Sequence, residues 1–187
     1  MARSTGFDRW VASLRHAAAL AHLRPGARVC DVGCGVDALF LETLAGRAQR
    51  LVGVDYQRVT TRHAGVAFVQ ADLERFLPLV DASFDHVTML AVIEHLPRPE
   101  AALAEAFRIL APGGSLILTW PSALVDPMLA VLFRLGIVSP EMESSHHQPR
   151  RKVKAWVGLL ASMGFEDIRH RTFELGLNHL MVARKPM

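Results

Sequence analysis

Helical and strand patterns alternate along most of the chain, which predicts an α/β fold built on a mostly parallel sheet. Two further observations refine this. The first strand pattern runs straight into glycines and then into a helix, as in a doubly wound sheet with helices on both faces. The last two strand patterns are joined by a connection too short for a parallel crossover, so they pair antiparallel. The expected sheet has seven strands and is mostly parallel, with an antiparallel last strand.

The elements follow in order. Residues 7–23 read as an amphipathic helix with Trp10, Leu14, Ala17 and Leu20 or Ala21 on one face, and Pro25-Gly26 stops it. Residues 28–32 form a short apolar strand ahead of Gly33-Cys34-Gly35, and residues 37–46 a helix ending at Gly46. A second strand, 51–54, closes on Asp55. The link to residue 66 leaves room for about two helical turns at most. Residues 66–69 and 84–91 are the third and fourth strands, 99–110 a helix, 111–114 a turn and 115–120 the fifth strand. The rhythm then breaks over 121–149. It resumes with a helix at 150–163 and strands at 165–173 and 178–184.

Composition narrows the class. A chain of 187 residues favours one domain with a full core. Apolar residues at 51% and charged residues at 21% exclude disorder, collagen and coiled coil as the main architecture. A net charge of +3 is too mild to indicate nucleic acid, although the pI of 9.3 leaves room for an anionic partner. The two cysteines, Cys30 and Cys34, make no disulfide framework and point to a reducing compartment. The opening residues lack the apolar core of a signal peptide, and no apolar run reaches the ~18 residues of a membrane span. The expected location is cytoplasmic.

Asp31-Val32-Gly33-Cys34-Gly35 is the most informative segment. Glycine lets the chain turn tightly and lets a ligand approach the backbone. Asp55 lies 20 residues after Gly35, the spacing of an acid that bonds ribose hydroxyls. Gly33-x-Gly35-x-x-Ala38 also fits the dinucleotide pattern. Asp31 separates the two readings. A dinucleotide brings an anionic pyrophosphate to this turn, which a nearby carboxylate repels. S-adenosylmethionine brings a cationic amino group and a sulfonium, which Asp31 and Asp37 attract.

With these motifs in this order, residues 25–120 resemble the class I S-adenosylmethionine-dependent methyltransferases. The nearest likeness is to the small-molecule, "type 11" group related to quinone-biosynthesis enzymes, with a Rossmann-like fold. The resemblance implies S-adenosylmethionine as cofactor and S-adenosylhomocysteine as product. It implies binding by Asp31, Gly33 and Gly35 at the turn and by Asp55 and Tyr56 after the second strand. Gln70-Ala71-Asp72-Leu73 looks like the loop flanking the adenine, with Asp72 reaching its amino group. Phe84-Asp85 to Leu90 looks like the family's fourth strand, and the resemblance implies cofactor contacts from Leu90 as well as from Ala71 and Leu73. Ile93-Glu94-His95-Leu96 looks like the segment that follows it, and 108–115 looks like the turn into the fifth. The chain departs from the family at Val36-Asp37, where a small residue is usual.

The same resemblance divides the chain into an N-terminal helix (1–24), a cofactor-binding core (25–120), a substrate-capping insert (121–149) and a closing helix and hairpin (150–187). The insert carries a nearly all-apolar run over 124–138, which is expected to form a helical cap over an apolar or lipid-linked acceptor, or else a core helix.

His95, His146 and His147 are the candidate bases, since histidine titrates near neutral pH; each also reads as a solvated or helix-start residue. No metal site is expected, and the cysteines read as packing residues. Arg150, Arg151, Lys152 and Lys154 suit either an anionic substrate or a solvated face. The chain lacks the Asn/Asp-Pro-Pro-Tyr/Phe-like motif that amino-methylating enzymes often carry after the fourth strand, which favours a small-molecule acceptor and no nucleic acid. The expected assembly is a monomer or homodimer, with peripheral membrane contact open. Three alternatives stay open: an NAD-dependent oxidoreductase, an RNA or protein methyltransferase, and a non-catalytic adenosylmethionine-binding module.

Overall fold

Strands buried on both faces read as near-continuous apolar runs. β2 (Arg50–Asp55) has that character, and β1 (Arg28–Val32) has it apart from Asp31; β4 (Phe84–Leu90) is buried as well but carries Asp85, His86 and Thr88. A computed structural model describes residues 6–59, 63–125 and 151–187. With β3 (Val66–Gln70), β5 (Leu110–Pro121), β6 (Glu166–Phe173) and β7 (Asn178–Arg184), these strands form one seven-stranded sheet in the order β3-β2-β1-β4-β5-β7-β6. β1 to β5 are parallel; β7 is antiparallel to both of its neighbours, β5 and β6. The chain steps outward from β1 to β3, then returns to place β4 on the other side of β1. The crevice between β1 and β4 is the switch point of the sheet, where such folds bind ligands.

Helices cover both faces. On one side α1 (Gly6–Leu20) and α2 (Leu39–Leu44) pack through Ala19, Phe40, Leu41 and Leu44 onto Val29, Leu51, Ile117 and Leu180. On the other, α3 (Pro99–Ile109) and α4 (Val153–Ser162) bury Leu103, Ala106, Ile109, Trp156 and Leu160 against Val32, Val54, Met89 and Leu116. Phe107 and Phe165 meet edge to face there, with centroids 4.9 Å apart. Cys30 and Cys34 are buried free thiols in these two separate clusters, so both are packing residues. The edge strand β6 is mostly exposed and rich in charge, which protects an open edge from adventitious pairing.

Three boundaries differ from expectation. The buried side of α1 is centred on Ala19, while Ala17 and Ala21 are exposed; the alanine-rich stretch carries too little contrast to fix the helical phase. α2 begins only at Leu39, because Ala38 takes a left-handed conformation (φ 47, ψ 40) that a helix cannot include. The expected turn at 111–114 lies inside β5, where the ladder to β4 jumps from Phe84↔Leu110 to His86↔Ser115 and Gly113 takes φ +71. Most of the expected insert, 126–149, and residues 60–62 of the short link after Asp55 lie outside the described residues.

Candidate functional site

The site is built where β1 ends. Gly33 and Cys34 both donate their N–H groups to the Val54 carbonyl, at 2.7 and 3.1 Å, which ties the turn to β2. Gly33 has φ +80, and a Cβ there would lie 2.4 Å from Val92 Cγ2, so only glycine fits. Gly35, at φ +72, donates its N–H to Asp55 Oδ2 at 2.8 Å; the Gln57 N–H reaches Asp55 Oδ1 at 2.9 Å. Both Asp55 oxygens are thereby fixed in position, and each keeps a lone pair for a further donor. Gly53, inside β2, leaves no room for a side chain: a Cβ would lie 2.8 Å from Cys34 Sγ and from Leu41 Cδ1.

Asp31 is 3% exposed and accepts the Thr88 hydroxyl at 2.6 Å. Burial pushes its carboxyl up to about 7, the Thr88 bond opposes the rise, and the nearby Asp55 carboxylate adds to it. Burial likewise pushes the Cys34 thiol up to about 12, so it stays protonated. Above the turn lies a cleft of about 280 Å³, lined by Asp31, Gly33 to Phe40, His16 and Leu90. A buried acid in the cleft wall, a second acid bonded to the Gly35 N–H and a close-approach glycine suit a cationic nucleoside better than a pyrophosphate.

The other expected residues are distributed as follows. Tyr56 is 64% exposed just past Asp55. The Ala71 N–H donates to the Asp55 carbonyl at 2.9 Å, which sets the 70–73 loop beside the carboxyl end of β2, with Leu73 buried. The Asp72 carboxylate turns back on its own loop, accepting the Glu74 N–H at 3.0 Å and Arg75 Nε at 3.2 Å. His95 sits on a 3-10 turn after β4, half-exposed and 3.8 Å from the buried Glu94 carboxylate, and is not among the residues lining the cleft. His146 and His147 lie outside the described residues. Arg151 is committed elsewhere, to Glu100 at 2.5 Å and the face of Trp156.

The sequence reading missed His16. It projects from α1 into the cleft and packs on the Phe40 ring at 5.2 Å. Burial, then the neighbouring Arg15 charge, pushes it down to about 4. It is therefore a neutral hydrogen-bonding group at neutral pH rather than an efficient base. No spacing rule marks it, because its role depends on where α1 crosses the sheet.

A seven-stranded sheet in this order, with only its last strand reversed, defines a Rossmann-like methyltransferase architecture. A solved S-adenosylmethionine-dependent methyltransferase from Archaeoglobus fulgidus superposes with a TM-score of 0.72 at 18% identity, over 95% of this chain and 94% of that one. Another, from Mesorhizobium loti, gives 0.67 at 21% identity, over 90% and 96%. In sequence, residues 30–118 match the methyltransferase domain family. The ubiquinone/menaquinone biosynthesis C-methyltransferase of Methylobacterium nodulans is 31% identical, covering 93% of this chain and 79% of that protein. The ubiquinone biosynthesis O-methyltransferase of Hahella chejuensis is 26% identical, covering 87% and 78%. The chain belongs to the S-adenosylmethionine-dependent methyltransferase family, whose cofactor is S-adenosylmethionine and whose product is S-adenosylhomocysteine. For several other curated relatives it spans less than half of their length, 42%, 31% and 40% among them. Among the described residues, no helix is long and apolar enough to cross a membrane.

Proposed function

We propose that the chain transfers the methyl group of S-adenosylmethionine to a small acceptor with an apolar or lipid-linked body. The observation that carries this reading is the pair of buried carboxylates, Asp31 and Asp55, at the glycine turn. Asp31 would face the cationic methionine end, Asp55 the ribose hydroxyls, and the 70–73 loop with Tyr56 the adenine. Leu90 and His16 would close the cleft around the donor. The bound cofactor supplies a carbon already activated by a sulfonium, so the protein's task is alignment and exclusion of water. A base is required only when the acceptor's nucleophile begins protonated. His95, His146 and His147 are the proposed candidates, with His95 set beside the buried Glu94. The relatives named for quinone biosynthesis support an apolar acceptor.

We assign the acceptor cap to residues 121–149, which follow β5 directly and carry an apolar run. The test is a variant in which a short Gly/Ser linker replaces residues 124–147, compared with the intact chain on a panel of phenolic, quinol and sterol acceptors with labelled S-adenosylmethionine. The intact chain is expected to label at least one apolar acceptor. The deleted chain is expected to bind S-adenosylhomocysteine normally and transfer nothing. Transfer by the deleted chain with unchanged acceptor preference contradicts the cap. Labelling of RNA or protein alone contradicts the acceptor class.

A further inference from the structure

A second cleft, of about 280 Å³, opens at the other end of the sheet, by the amino ends of β1 and β4. Its floor follows from the register. His86 on β4, Ser115 on β5 and Arg184 on β7 are paired neighbours across three adjacent strands, so their side chains share one face. Val182, two residues before Arg184, shares that face and is paired with Arg169 on β6. The segment following α1 supplies His22 and Arg24 on the other side of the cleft.

The hydrogen bonds of this floor fix its donors. His86 is 3% exposed, and its Nε2 accepts the Arg24 backbone N–H at 3.1 Å. That nitrogen carries no proton, so the ring proton is on Nδ1, which donates to Ser115 Oγ at 2.7 Å. Ser115 Oγ is thus already an acceptor. Its own hydrogen is left for a partner in the cleft that Ser115 lines, and Ser115 is 9% exposed. Burial, then the Arg24 charge, holds the His86 ring down to about 4, so this tautomer persists across neutral pH.

Among the residues lining the cleft, Arg24, Arg169 and Arg184 face the single carboxylate of Asp167. Asp167 is clamped by Arg169, whose Nη2 donates to both carboxylate oxygens at 3.1 Å. Asp85, which faces Arg24, is already held by Arg28 through Nη2 at 2.9 Å, Nε at 3.2 Å and the backbone N–H at 2.8 Å. Among the described residues the guanidinium groups of Arg24 and Arg184 enter no hydrogen bond or ion pair. Two uncommitted guanidiniums and a buried hydroxyl aimed into one cleft form a donor set matched to a tetrahedral oxyanion.

We propose that this cleft binds a phosphate group, borne by a free phosphate ester or by a phospholipid head. The site lies at the opposite end of β1 from the glycine turn and is independent of methyl transfer. The test is titration with inorganic phosphate, followed by calorimetry, of the intact chain, Ser115→Ala and the double variant Arg24→Gln/Arg184→Gln. Saturable binding is expected, weakened about tenfold by Ser115→Ala and by more than tenfold in the double variant. S-Adenosylhomocysteine affinity is expected to be unchanged in all three, so failure here is separate from failure of the methyltransferase reading. Flotation with phosphatidylcholine vesicles, with and without phosphatidic acid, identifies the source. Co-flotation that needs phosphatidic acid and both arginines assigns a lipid head; phosphate binding without co-flotation assigns a free ester. No saturable phosphate binding, or binding that the double variant retains, overturns the proposal.

Discussion

Asp31 is a carboxyl that the folded chain disfavours charging. The unfolded chain releases this proton at a pH of about 3.9. The folded chain holds it up to about 7. Between those values the native state binds more protons than the unfolded one, so this residue's contribution to stability falls as pH rises. A cation in the cleft favours the charged form, so ligand binding below pH 7 must expel the proton. Affinity for S-adenosylhomocysteine is expected to rise with pH up to about 7 and then level off, as read by calorimetry across that range. Asp31→Asn is expected to raise the melting temperature of the free protein at pH 8 while losing affinity and its pH dependence. Gly33→Ala combines φ +80 with a methyl driven into Val92, and is expected to cost about 2 kcal/mol or more in a urea titration. The sequence made both residues legible because a strand, an acid and a glycine pair in fixed spacing have few other uses. His16 was illegible, since nothing local to α1 states what lies beneath it.

At the scale of elements, legibility followed contrast. Strands such as β1 and β2 stood out because they are short, mostly apolar and followed by Gly or closed by Asp. The phase of α1 did not, because an alanine-rich face resembles its neighbours. The anchoring of the loop before β4 was likewise invisible. Arg108 on α3 donates to the Leu77 and Leu79 carbonyls at 2.9 and 2.8 Å and to Glu105 at 2.7 Å, and also pairs with Asp81. The bonds to Leu77, Leu79 and Asp81 join helix and loop across about 30 residues of sequence, beyond any local pattern. Arg108→Ala takes the guanidinium donor from the Leu79 carbonyl and leaves the Leu77 carbonyl and the Glu105 carboxylate with only the Leu79 and Leu77 N–H groups. It is expected to lower stability by about 2–3 kcal/mol, measured as a shift in urea midpoint with unchanged m-value.

For the whole molecule, the chain's alternation and its closing hairpin fixed the class, but not that β7 would insert between β5 and β6 rather than extend the edge. That choice is made by side chains far apart in sequence: Leu180 packs in one cluster with Ile117, and Met181 and Ala183 pack in the other with Leu116 and Leu118. The central claim is that the β1–β4 crevice holds S-adenosylmethionine through the carboxylates at its glycine turn. Calorimetry on the intact chain and Asp55→Ala, with S-adenosylhomocysteine and separately with NADH, tests it most directly. One saturable site for S-adenosylhomocysteine is expected, at least about tenfold weaker in the variant, because the two charge-assisted ribose bonds proposed for Asp55 would be lost. No saturable NADH binding is expected. Saturable NADH binding without a signal for the methyl donor or its product, or an affinity unchanged by Asp55→Ala, would contradict it.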